Sequence, residues 1–222
     1  HNLGLRPMAD IDVLVQEKEL LKSKNELLQL GYKIYLKNLP EDYWRKYQCH
    51  LQFYNHDKEI TLELHWAFAP PRPNKLNLND IWKRSGIQVI DNIEILTLSL
   101  EDTLLSLFLH ICKNISTLQC IKLKNLCDIN ELIFQYNHKL DWEYIIEKIK
   151  SWNIKGATYY IYLLTRKYLD TPWPTEIIRN LHLCIVQRKI LILYASRLKQ
   201  KSRPQAALLM ITMLDTFKGC LA

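Results

Sequence analysis

Two short runs of strict alternation, then a proline break, then helical periodicity to the end constrain this chain more than any other feature. Residues 47–54 (YQCHLQFY) put Cys49, Leu51 and Phe53 on one face and Gln48, His50 and Gln52 on the other. Residues 59–66 (EITLELHW) put Ile60, Leu62, Leu64 and Trp66 on one face and Glu59, Thr61, Glu63 and His65 on the other. A period of two is that of a half-buried strand. Asn55, His56 and Asp57 supply turn residues between the runs, so a hairpin is expected. Pro70, Pro71 and Pro73 then end the pattern.

Upstream, 10–15 (DIDVLV) reads as a β-branched strand. Residues 16–30 read as an amphipathic helix with Gly31 as its C-cap, and 32–36 as a further strand. Downstream, a short helix near 81–84 and a strand at 87–90 precede a helical remainder. That remainder opens with Ser99 and Asp102 in a capping arrangement and continues over 118–136, 142–152, 155–169, 176–199 and 205–217. Five glycines in 222 residues suit a helix-rich chain. The fold class expected is α+β. A small mixed sheet with flanking helices occupies 1–95, and a helical domain at 96–222 flanks a cleft.

Several classes are disfavoured. No run of about 18 apolar residues is present, so no membrane span is expected. The opening HNLGLRPMADID has no apolar core of a signal peptide. The six cysteines form no Cys-x-x-Cys pair, which disfavours a structural zinc knuckle and suits buried thiols in a reducing cytoplasm. Residues 171–222 hold eight basic and two acidic side chains, whereas 1–170 are almost balanced. Arg188, Lys189, Arg197, Lys199, Lys201 and Arg203 form the basic cluster. It reads either as the solvated face of a helix or as a nucleic-acid contact.

The chemistry concentrates at Asp10-Ile11-Asp12. On a strand both carboxylates share a face, where they can hold hard divalent cations or stand as a solvated strand end. Glu63, on the polar face of its own strand, becomes a third carboxylate if the two strands are neighbours. Otherwise it is an outward residue of a half-exposed hairpin.

GLRPMADIDVLV, a helix ending LLQLGY, LELHW, LSLEDTLLSLFLHICKN, LKNLCDINELI and LDWEYIIEKIKSWNI occur in that order. Together they resemble the nucleotidyltransferase family of the DNA polymerase beta superfamily over roughly residues 5–169. The resemblance implies transfer of a nucleoside monophosphate from an NTP to an unidentified acceptor: a protein, a nucleic acid or a small molecule. It implies Mg²⁺ or Mn²⁺ on Asp10, Asp12 and Glu63, with Arg6, His50 and His65 toward substrate. For Arg6 a surface role, and for the two histidines a structural hydrogen bond, stand as alternatives. His110 reads as a core histidine, Trp66 as core, Asp128 as a helix contact and Asp141 as an N-cap.

One departure is expected to matter. Superfamily enzymes place a Gly-Ser or Lys-Gly ahead of the Asp-x-Asp strand, where backbone N–H groups cradle the triphosphate. Here nine residues precede Asp10, and Gly4 is the one glycine among them. The sequence is therefore expected to be an N-terminally incomplete version. Two rival readings follow: an inactive binding module for nucleic acid or protein, and a toxin-type transferase acting on tRNA or protein.

Overall fold

The computed structural model describes residues 8, 10–36, 39–70, 76–116, 121–196, 208–209 and 212–213. Its contacts cluster into two compact units, His1–Leu78 and Asn79–Ala222. The division falls just past the prolines. Residues 79–95, grouped with the sheet in a 1–95 domain by sequence, are counted with the helical unit.

The first unit is a four-stranded mixed sheet. In chain order its elements are β1 (Ile11–Leu14), a 3-10 turn (Glu17–Glu19), α1 (Leu20–Gln29), β2 (Lys33–Tyr35), α2 (Glu41–Tyr47), β3 (His50–Asn55) and β4 (Ile60–His65). The strand order is β1-β4-β3-β2. The β3–β4 hairpin is antiparallel, as its alternation predicts, and β1 lies parallel to β4. Gly31 ends α1 at a φ of 84°, the left-handed region that a helix C-terminus favours.

The alternation decides what each face does. Leu51, Phe53, Leu62 and Leu64 turn to one side and are buried with Leu20 of α1 and Trp44 of α2. Val13, Val15, Ile34 and Trp66 pack around them. Burying each such side chain contributes about 1.5–3 kcal/mol, so register in this sheet is strongly fixed. Trp44 meets the polar requirement of its indole by donating Nε1–H to the Leu36 carbonyl at 3.1 Å. The hydrophobic pattern carries no sign of α2. It is one short amphipathic stretch whose single fully packed anchor is Trp44.

The second unit contains α3 (Asn79–Arg84), a β5–β6 hairpin (Gly86–Ile90, Ile93–Thr97), α4 (Leu100–Ser116), α5 (Leu123–Tyr136), α6 (Trp142–Ser151), α7 (Lys155–Leu169), α8 (Thr175–Asn180) and α9 (Ile185–Ala195). The strand near 87–90 has a partner at Ile93–Thr97 that the pattern does not mark. Asp91 and Asn92, both at positive φ, make the tight turn between them. Leu104, Leu105 and Phe108 of α4 are fully buried, as are Ile129 and Ile133 of α5, Ile145 and Ile149 of α6, and Tyr160, Ile161 and Leu164 of α7.

Two expectations need correction. The helix expected over 176–199 is two helices among its described residues. His182 takes a φ of 45°, and Cys184 starts α9 with a capping box to Gln187. His110 is exposed, not a core histidine. The buried stripe of α4 runs through Leu104, Leu105, Phe108 and Leu109, and position 110 falls off it. The helix expected over 205–217 lies mostly outside the described residues. Among those described, no helix is long and apolar enough to cross a membrane.

Candidate functional site

The polar face of the sheet carries the site, and register assembles it. In the parallel β1–β4 pair, Asp12 stands opposite Glu63 and Leu14 opposite His65. In the antiparallel β3–β4 pair, His50 stands opposite His65 and Gln52 opposite Glu63. Three strands therefore deliver Asp12, Glu63, His65 and His50 to one patch.

His65 is the hub. Its Nε2 lies 2.9 Å from Asp12 Oδ1 and 3.2 Å from Glu63 Oε2. Burial by itself would lower the pKa of this imidazole. Hydrogen bonds to Asp12, Cys49 and Glu63 outweigh that cost and push it up to about 11, so His65 is an imidazolium at neutral pH. His50 stacks on it with ring centroids 4.9 Å apart and planes at 29°. His50 Nε2 reaches Glu63 Oε2 at 3.6 Å.

Exposure grades across the patch. Asp12 is open to solvent, with 68% of its side chain exposed, whereas Glu63 and His65 are each 17% exposed. His50 is buried. Ligand-type atoms of Asp12, Glu63 and His65 lie within 4.8 Å of one another. Two carboxylates this close need a cation or hydrogen-bond donors between them. Here the His65 ring fills that role. The donor set fits a hard divalent cation, which takes oxygen ligands first.

Asp10 sits immediately before β1 and is exposed. It lies outside the close Asp12–Glu63–His65 group. Arg6 falls outside the described residues. Of the basic cluster, Arg188 and Lys189 are exposed on α9, and the other four lie outside the described residues.

A family model described as uncharacterised nucleotidyltransferase matches residues 1–170. The chain belongs to this nucleotidyltransferase family. Its α+β architecture suits that membership, which gives it a general role in nucleotidyl transfer. Comparison with curated proteins and with solved structures finds no match.

In this nucleotidyltransferase one neighbour of the site departs from its sequence pattern. Alternation sends Cys49 to the apolar face with Leu51 and Phe53. The residue sits at a bend before β3, and its Sγ lies 3.7 Å from His50 Nδ1. The adjacent Cys49-His50 pair, with His65 on the partner strand, is the signal that points to it. The period-two rule hides that signal, because a bend suspends alternation.

Other sequence expectations concern the second unit. Asp141 caps α6, its carboxylate accepting from the Tyr144 N–H at 3.0 Å. Ser99 accepts from the Asp102 N–H at 3.1 Å and donates its hydroxyl to Asp102 Oδ2 at 2.8 Å.

Proposed function

We propose that the chain transfers a nucleoside monophosphate from an NTP to an acceptor nucleophile, with Asp10, Asp12 and Glu63 holding Mg²⁺ or Mn²⁺. The observation that carries this reading is the pairing of Asp12 with Glu63 across β1–β4, with His65 between them. A bound divalent cation supplies charge neutralisation at the phosphoryl oxygens. Asp10 and Asp12, two residues apart at the strand's start, would hold that cation beside the nucleotide's phosphates. Glu63, less exposed than Asp12, takes the proton of the acceptor hydroxyl. The acceptor oxygen forms a bond to the α-phosphorus as the bond to the leaving pyrophosphate breaks. His65 holds the two carboxylates in place, and His50 braces His65 by stacking.

The test is label transfer from α-³²P-NTP by the full-length protein in Mg²⁺ or Mn²⁺. Wild type should label an acceptor, and Asp10→Asn and Glu63→Gln should not. Undiminished labelling in either variant removes that residue from the assignment. No labelling by wild type with any NTP and any offered acceptor removes the activity.

A further inference from the structure

Beside the carboxylates lies a second group of ligand atoms with different chemistry. Cys49 Sγ, a nitrogen of His50 and a nitrogen of His65 fall within 4.8 Å of one another. Cys49 and His50 are buried, with Cys49 fully so. The group is brought together by backbone that cannot easily shift. His50 and His65 are registered opposite each other on β3 and β4, and the ladder continues past them through Trp66 N–H donating to the Cys49 carbonyl at 3.0 Å.

The donor set is one thiol and two imidazoles, which selects a borderline first-row ion over Mg²⁺. Tetrahedral Zn²⁺, with bonds of about 2.3 Å to sulfur and about 2.0–2.1 Å to nitrogen, places S and N ligands roughly 3.5 Å apart. Cys49 Sγ and His50 Nδ1 are 3.7 Å apart, so little movement closes that edge. The outer atoms fit as well. A metal-bound histidine commonly gives its other ring N–H to a carboxylate, which fixes the tautomer. His50 turns Nδ1 to the thiol and Nε2 to Glu63 Oε2 at 3.6 Å. His65 hydrogen-bonds Cys49 as well as Asp12 and Glu63.

We propose that Cys49, His50 and His65 form a binding site for a Zn²⁺-class cation, with a fourth position left to solvent or to a carboxylate. The site shares His65 with the catalytic reading above. Binding of the ion stands independently of any activity.

Co²⁺ is the probe, because a cobalt–thiolate bond gives a near-ultraviolet charge-transfer band that nitrogen and oxygen ligands do not. Reduced, metal-stripped full-length protein should show the band at one equivalent of Co²⁺ and lose it on adding Zn²⁺. Cys49→Ser should abolish the band, and Cys127→Ser, on α5, should keep it. His65→Asn guards against misfolding of the cysteine variant: with the fold retained by circular dichroism, it should weaken Co²⁺ binding on the order of tenfold or more. A band that survives Cys49→Ser, or Co²⁺ binding with no thiolate band, overturns the site. Asp10→Asn separates the two readings, since it should abolish label transfer and keep the cobalt band. Wild type with the band and no transfer leaves the metal site standing and removes the activity.

Discussion

Asp12 and Glu63 face each other across a parallel strand pair, and one nitrogen of His65 lies within hydrogen-bond reach of both. Solvent grades the two arms. Asp12 is mostly exposed, so its pair with His65 is screened and worth little. Glu63 and His65 are each 17% exposed, and this arm carries most of the stabilisation. Replacing His65 with Gln should leave two carboxylates facing each other without a cation. The metal-free variant should lose about 1 kcal/mol, and Mn²⁺ should stabilise it more than it stabilises wild type. Thermal melts with and without Mn²⁺ measure both. Equal Mn²⁺ shifts in the two proteins would show that His65 does not occupy the cation's place.

Gly156, near the start of α7, has a different reason to be glycine. A Cβ there would run into the Thr212 carbonyl oxygen and lie 2.9 Å from Met213 Cα. Both obstacles are backbone atoms, which yield little. Alanine is the better helix former by about 1 kcal/mol, but overpacking costs about 1–3 kcal/mol and should win. Gly156→Ala should therefore lower the melting temperature by several degrees. An unchanged or raised midpoint would show that the chain at 212–213 moves aside freely.

These two sites differ in how legible they are in the sequence. The alternation of 47–54 and 59–66 reports which side chains share a face, so the pattern alone groups His50, Glu63 and His65. The parallel pairing of β1 with β4 is a long-range choice with no local signature, and it alone sets Asp12 against Glu63. The pattern misplaces Cys49 because a bend interrupts the period. The break at 181–184 escapes it because neither Gly nor Pro marks the spot: His182 adopts the left-handed conformation, and a cysteine serves as the cap. The close approach at Gly156 is invisible in sequence, since it depends on Thr212 and Met213, far along the chain.

Acid should weaken the second unit through Glu101. Burial would raise the pKa of this carboxyl. Hydrogen bonds from backbone N–H groups, the Asp141 N–H among them, and from Arg84 and Ser99 outweigh burial and hold it below its ordinary value. The Arg84 contact is 2.7 Å and the Asp141 contact 3.0 Å. A depressed folded-state pKa contributes stability that is present above the unfolded value of 4.5 and is lost as pH falls through the folded value. Asp80, held low by its hydrogen bond and charge interaction with Lys148, acts in the same direction. Urea midpoints should fall below about pH 4.5. Glu101→Gln should start lower by about 1–3 kcal/mol and show a shallower acid loss. Parallel pH curves for the two proteins would remove Glu101 as a source.

The contact between Trp173 and Thr165 offers a cycle that isolates one hydrogen bond. The Trp173 indole donates Nε1–H to Thr165 Oγ1 at 2.8 Å, in a place where Thr165 is fully buried. The Thr165 hydroxyl donates in turn to the Ile161 carbonyl at 3.0 Å, one turn back on α7. Thr165→Val keeps the shape and removes the acceptor, so the indole N–H is left buried without its partner. That should cost about 1–3 kcal/mol. In a Trp173→Phe background there is no N–H to strand, and the same valine substitution should cost much less. The lost turn-to-turn bond to Ile161 leaves a backbone carbonyl already engaged in the helix. Denaturant unfolding of the four proteins yields the coupling directly. A coupling near zero would mean that water replaces the threonine hydroxyl at the indole, and that the packing of Trp173 against Phe108, with centroids 5.8 Å apart, holds this corner without the hydrogen bond.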